Sequence, residues 1–161
     1  MEQEKWEIRR AGEQDIPDVM RLLGEVLELH AALRPDLFIA GTTKYTPQEL
    51  KAIFADEKTP VFVAAGENGA VAGYAFCVLK RPPFTTNMRD IRTLYIDDIC
   101  IDERCRGQHI GRALYERVLA YARAAGCYDV TLNVWEGNAN ARAFYEKMGM
   151  RVKETQMETI L

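Results

Sequence analysis

Histidine and cysteine are scarce in this sequence, with two of the first and four of the second in 161 residues. Cys77, Cys100, Cys105 and Cys127 form no CxxC pair, and His30 and His109 lie far from one another, so neither a zinc site nor a disulfide framework is expected. Reduced thiols in a cytoplasmic protein are the expectation instead. Long apolar runs are missing too. "VFVAA" and "VAGYAFCVL" stop well short of a membrane span, and the opening "MEQEKWEIRR" lacks the basic and apolar regions of a signal peptide. Lys and Arg (21) do not exceed Asp and Glu (24), and the net charge of −3 disfavours a broad nucleic-acid-binding face. There is no GxxxxGK[ST], no GxGxxG followed by the acidic residue of a dinucleotide fold, no internal repeat and no low-complexity linker.

What is present reads as one α/β domain spanning 1–161. A short strand from Trp6 to Arg10 precedes a helix with Ile16, Val19, Met20, Leu23, Val26, Leu27 and His30 on one face, Asp15 as its cap and Pro17 in its first turn. Pro35, Gly41 and Pro47 then enforce a loop, and Thr46-Pro47 opens a second helix through Phe54. A hairpin follows about Glu67-Asn68-Gly69, then a strand "TLYIDDICID", a helix from near His109 to Ala125, a strand "DVTLNVW", a helix from Asn138 to Met148 and a last strand from Met150. The order β-α-α-β-β-β-α-β-α-β predicts a mixed central sheet.

The stretch "CRGQHIGRAL" joins the "TLYIDDICID" strand to a helix. A helix start presents N–H groups and partial positive charge. Gly107 and Gly111 permit close backbone approach, while Arg104, Arg106 and Arg112 add charge, so the segment is suited to a phosphate. By itself the pattern equally describes a tight strand-to-helix turn with solvated arginines.

A second segment separates these readings. Together with "NVWEGNANARAFYEKMGM", the loop resembles the GCN5-related N-acetyltransferase (GNAT) superfamily. The family's [QR]-x-x-G-x-[GA] is matched by Arg104 and Gly107, with Gly111 downstream; His109 stands where Gly or Ala is preferred. Its later motif is matched by Asn138, Ala141, Tyr145, Lys147, Gly149 and Met150, and the element order agrees throughout. The resemblance implies acetyl-CoA as cofactor. Its pyrophosphate would lie on the N–H groups of Arg106, Gly107, Gln108, His109, Ile110, Gly111 and Arg112, and Asn138 and Tyr145 would also contact the cofactor. Its pantetheine would run along Ile99, Cys100 and Ile101, in the opening between splayed central strands.

Amide formation requires a neutral amine, a stabilised oxyanion and a protonated leaving thiolate. Asp97 and Asp98 lie near the expected opening, and strand alternation predicts that they point to opposite faces. The resemblance favours Asp97 as base; Glu136 is a weaker alternative, and a salt bridge or a substrate anchor would equally explain the acidic pair. The family match assigns Tyr145 to the cleft as general acid, where a packed core aromatic beside Phe144 is the structural alternative. The backbone N–H of Ile99 would hold the oxyanion. Cys100 lacks a neighbouring His or Asp to activate it, so a buried strand cysteine is expected rather than a covalent nucleophile.

The acceptor site is expected from two segments bearing His30, Arg34, Asp36, Phe38, Tyr45, Phe84 and Asp90. Their mixture of rings and both charge signs suits a small primary amine such as a polyamine, an amino acid derivative or an amino sugar. The alternatives are a protein N-terminal or lysine acetyltransferase and a catalytically silent acyl-CoA-binding module. No metal, nucleic-acid or membrane partner is expected. A final strand with one edge unpaired predicts a homodimer.

Overall fold

The computed structural model describes residues 5–161. Five strands form one sheet in the order β1 (Glu7–Arg10), β2 (Val61–Ala65), β3 (Val71–Lys80), β4 (Thr93–Ile101) and β5 (Asp129–Leu132). Neighbours among the first four are antiparallel, whereas β5 pairs parallel to β4. A helix therefore has to cross between β4 and β5, and α3 (Ile110–Ala124) does so.

Two apolar layers sandwich the sheet. On one face, Val19, Leu22 and Leu23 of α1 (Ile16–Leu33) and Leu50 of α2 (Pro47–Ala55) pack on Val61, Val63, Tyr74 and Phe76. On the other, Ile110, Leu114, Tyr115 and Val118 of α3 pack on Phe62, Ala75, Leu94 and Ile96. A last helix, α4 (Ala139–Lys147), brings Phe144 against Gly111 at the start of α3: a Cβ on Gly111 would stand 3.1 Å from the Phe144 ring.

Local chemistry sets the boundaries. Thr46 caps α2 by accepting from Glu49 N at 3.2 Å while the Glu49 carboxylate accepts from Thr46 N, and Pro47 fills the first helical position. Asp15 occupies the cap position of α1, but its carboxylate turns back to accept from Gly12 N and from both terminal nitrogens of Arg9, at 2.7 and 3.0 Å. Asp15 is buried, so the ion pair ties β1 to the helix start instead of capping it.

Two sequence expectations change. The strand expected from Met150 does not form: among the described residues no element follows α4, and Val152, Met157, Ile160 and Leu161 are exposed. A strand needs a backbone ladder, and this segment engages the domain through side chains, Lys153 to Asp129 at 3.0 Å and Glu158 to Arg34 at 2.7 Å. The second change concerns the acidic pair. Phe76 lies opposite Asp98 but Cys77 lies opposite Ile96, so Asp97 is the extra residue of a β-bulge. Leu94 and Ile96 face α3 before the bulge and Ile99 and Ile101 face it afterwards, whereas Cys100 packs with the α1 layer. Strict alternation is thus broken between the two carboxylates.

Candidate active site

The β4–β5 ladder covers only Thr93–Ile96 against Asp129–Leu132. Beyond Ile96, β4 continues to Ile101 without β5, and the gap opens a groove lined by Ile99, Cys100, Ile101, Leu132, Asn138 and Tyr145. The splay expected from the sequence is this end of the ladder.

At the far end of β4, Asp102 is buried and accepts from Arg104 N, from the Arg104 guanidinium at 2.9 Å and from Arg21 at 2.9 Å. These bonds hold its carboxyl well below the usual range, the Arg104 side-chain bond being the largest cause. Arg104 therefore shapes the turn into the loop instead of projecting toward an anion. Gly107 follows at φ +82°, a conformation natural to glycine. His109 is also left-handed, at φ +62°, a conformation that glycine adopts without the cost a side chain with a Cβ pays. Gln108 accepts from the Trp6 indole N–H at 3.1 Å, pinning the loop to the residue that precedes β1. The guanidinium groups of Arg106 and Arg112 are exposed and only loosely paired, at 3.9 Å, with Glu103 and Glu116. Ile110 is buried as the first residue of α3. The loop, its helix start and the two loosely held arginines fit a pyrophosphate. Gly111 has a second use: its missing Cβ lets Phe144 close on α3.

That closure places the next residue. With Phe144 against Gly111, Tyr145 turns into the splay, where burial, and then the charge of Asp98, push its phenol above the usual range. Asn138 accepts from Ala141 N at 3.3 Å and so caps α4 through its side-chain oxygen. Burial also pushes the Cys100 thiol up to about 12, which leaves it protonated and unsuited to nucleophilic attack.

The acidic pair sits where the splay begins. Tyr74 Oη donates to Asp98 Oδ2 at 2.6 Å. Burial raises the Asp98 carboxyl above the ordinary value, opposed by Tyr74, Lys44 and His30 and assisted by Asp97. Lys44 Nζ donates to Asp97 Oδ2 at 2.7 Å and acts on Asp98 as well, so the bulge brings both carboxylates within reach of one lysine. Burial lowers the His30 imidazole, which keeps it neutral at pH 7. His30, Phe38 and Trp135 form a run of rings at centroid separations of 5.2 and 5.6 Å, and Arg34 lies over Trp135 while bound to Asp36 and Glu158. Tyr45 stacks on Phe76.

The second expected acceptor segment is not part of this groove. Phe84 is exposed, and Asp90 pairs with Arg81 at 2.8 Å beside Arg92, Gly126 and Tyr128, at the start of β4. Glu136 is exposed in the turn after β5. Lys44 and Tyr74 escaped the sequence reading. Tyr74 sits in an apolar strand and reads as core; only its register beside Cys100 and the bulge two residues on direct its hydroxyl to Asp98.

Comparison with known proteins agrees with this geometry. The sequence model of the Acetyltransferase (GNAT) family matches residues 26–150. The chain belongs to that family. It is an acetyl-CoA-dependent N-acetyltransferase with the fold expected of the family. Over 151 residues it is 27% identical to a glucosamine 6-phosphate N-acetyltransferase of Trypanosoma brucei brucei, covering 94% of this chain and 92% of the relative. A thialysine N-epsilon-acetyltransferase of Mus musculus is 26% identical over 151 residues, covering 88% and 82%. Among solved structures, a point mutant of the BH1408 protein from Bacillus halodurans superimposes with a TM-score of 0.91 at 34% identity, covering 96% of this chain and 99% of that one. Among the described residues, no helix of this acetyltransferase is long and apolar enough to cross a membrane.

Proposed function

We propose that the enzyme acetylates a small primary amine directly, in a complex that holds donor and acceptor together, with Asp98 as the base. The observation that carries this reading is the Tyr74–Asp98 pair: a carboxyl raised by burial, held in one orientation, at the mouth of the splay that also contains Tyr145. A carboxylate whose pKa is raised by burial is a stronger base than an ordinary one. Asp97, which the sequence favours for this role, already carries the Lys44 ammonium. The names of the relatives, an amino sugar phosphate and an amino acid derivative as acceptors, support a small molecule over a protein.

The residues assigned to the donor follow the groove. The N–H groups of 106–112 with Arg106 and Arg112 hold the pyrophosphate, Ile99 to Ile101 line the arm, and Asn138 shapes the start of α4. The donor supplies an activated acetyl thioester. Tyr145, protonated at neutral pH, donates a hydrogen bond to the departing sulfur; since an alkyl thiol is a stronger acid than a phenol, this bond rather than complete proton loss is its contribution. The Ile99 N–H is assigned to the carbonyl oxygen.

The same reading includes a homodimer. β5 is an edge strand with one side open, and the segment 150–161 exposes Val152, Met157, Ile160 and Leu161, a surface that a second copy would cover. A mass twice that of the chain in light scattering at micromolar concentration is expected. Four cysteines without a CxxC pair fit a reducing compartment such as the cytoplasm.

Free-thiol release from acetyl-CoA, assayed across polyamines, amino acid derivatives, amino sugars and lysine peptides, tests the function. Release that depends on a small amine supports the reading. Turnover confined to peptides would assign a protein acetyltransferase, and CoA binding without turnover across the panel would assign a silent binding module.

A further inference from the structure

Lys44 is fixed in place from both directions. Its neighbour Tyr45 stacks on Phe76 at 5.9 Å between centroids, and Thr46 closes the capping box that starts α2. Upstream, Gly41 N donates to the Glu28 carboxylate at 2.7 Å and Thr42 Oγ1 donates to Ile39 O at 2.7 Å, so the strap between α1 and α2 is tied to the helix it leaves. Held in this way, the lysine extends over the groove and seats its ammonium on Asp97 at 2.7 Å, with Asp98 in electrostatic reach. Asp97 is the bulge residue that directly follows the last β4–β5 pair. A primary amine of the protein itself thus lies at the point where the strands part, on one of two carboxylates suited to receive an acceptor's proton.

We propose that Lys44 is itself an acceptor: with acetyl-CoA bound and no amine present, the enzyme acetylates its own Lys44 Nζ. The inference rests on the acetyltransferase reading of the groove. In the step, a bond forms between Nζ and the acetyl carbon while the bond from that carbon to sulfur breaks, and sulfur leaves with the electron pair. The ammonium gives up two protons by way of Asp97; one ends on the leaving sulfur and the other in solvent. Burial by itself would lower the Lys44 pKa, but the bond to Asp97 and the nearby charges raise it. The amine is therefore protonated until Asp97 takes a proton, and modification is slow relative to turnover of a free acceptor. Acetylation removes the lysine charge and releases Asp97 from its ion pair.

Intact-mass and peptide-mapping spectrometry of the full chain incubated with acetyl-CoA alone tests the proposal, with thiol release on the amine panel measured in parallel. One acetyl group per chain at Lys44 is expected. Its rate should saturate with acetyl-CoA, be independent of protein concentration, fall when a competing amine is added, and drop about tenfold or more in Asp97→Asn. Lys44→Arg should lose the modified peptide. Amine turnover with Lys44 unmodified would overturn the inference and leave the function standing. Modification of Lys44 no faster than of exposed Lys58 and Lys147, without saturation, would identify simple chemical acetylation and also overturn it. Absence of both modification and amine turnover would overturn the two together.

Discussion

The hydroxyl of Tyr74 lies 2.6 Å from a carboxylate oxygen of Asp98, and both residues face the layer formed by α1 and α2. The bond is charge-assisted and favours the ionised carboxylate against the burial that raises its pKa. Groups bearing on Asp98 are Tyr74, Lys44, His30 and Asp97, with Tyr145 and Cys100 also coupled to it. Activity requires the ionised base, so kcat/KM should rise with pH through the raised Asp98 pKa. Tyr74→Phe removes a lowering influence and should move that limb to higher pH, with CoA affinity retained. A limb that stays in place would separate Tyr74 from the base.

Tyr145→Phe keeps the ring and its packing and removes one hydrogen-bond donor. Turnover should fall about 10²-fold, the usual worth of a positioned donor or acid, while the dissociation constant for CoA changes little. Wild-type turnover in this variant would remove Tyr145 from the reaction.

The loop offers two substitutions of opposite sign. Gly107→Val forces a β-branched side chain to φ +82° and should weaken CoA binding with the remaining fold intact by circular dichroism. His109→Gly relieves a left-handed residue and should raise stability by about 0.5–1 kcal/mol, measured by urea unfolding, without weakening CoA binding. Unchanged CoA affinity in a folded Gly107→Val protein would place the pyrophosphate elsewhere.

Asp102 anchors the turn into that loop. Asp102→Asn should destabilise the protein by about 1.5–3 kcal/mol at pH 7, the worth of a hydrogen bond to a charged group. Its folded-state pKa is depressed, so the contribution is fully present above the unfolded carboxylate value near pH 4 and is lost as pH falls through the folded value. The stability difference between wild type and variant should therefore be constant from neutral pH to about pH 4 and close below it. A difference that persists unchanged at lower pH would assign the effect to packing.

Much of this arrangement is legible in the sequence because it is written in local patterns. The loop glycines, the helix faces, the Thr46 cap and the Asn138 helix start each depend on neighbours a few residues away. The bulge at Asp97 is different. It arises from a mismatch in length between β3 and β4, which no local pattern records, and it decides which way both carboxylates point. Tyr74 is hidden for the same reason, since an apolar strand shows no sign that one hydroxyl meets a carboxylate 24 residues later. Lys44 lies in a loop whose path is set by a stacking contact with Phe76 and by capping. The strand expected from Met150 differs in the other direction: strand-like residues are present beside the open edge of β5, but among the described residues they form no backbone ladder with it and meet it through the Lys153–Asp129 pair.

The central claim is that Asp98 accepts the acceptor's proton. Its most direct test is the pH profile of kcat/KM for one primary amine in wild type, Asp98→Asn and Asp97→Asn. Asp98→Asn should lose at least about 10²-fold at pH 7, lose its acid limb, and recover in part at high pH, where the free amine is already neutral. Asp97→Asn should keep the acid limb. The reverse outcome, with the limb abolished in Asp97→Asn and preserved in Asp98→Asn, would contradict the account.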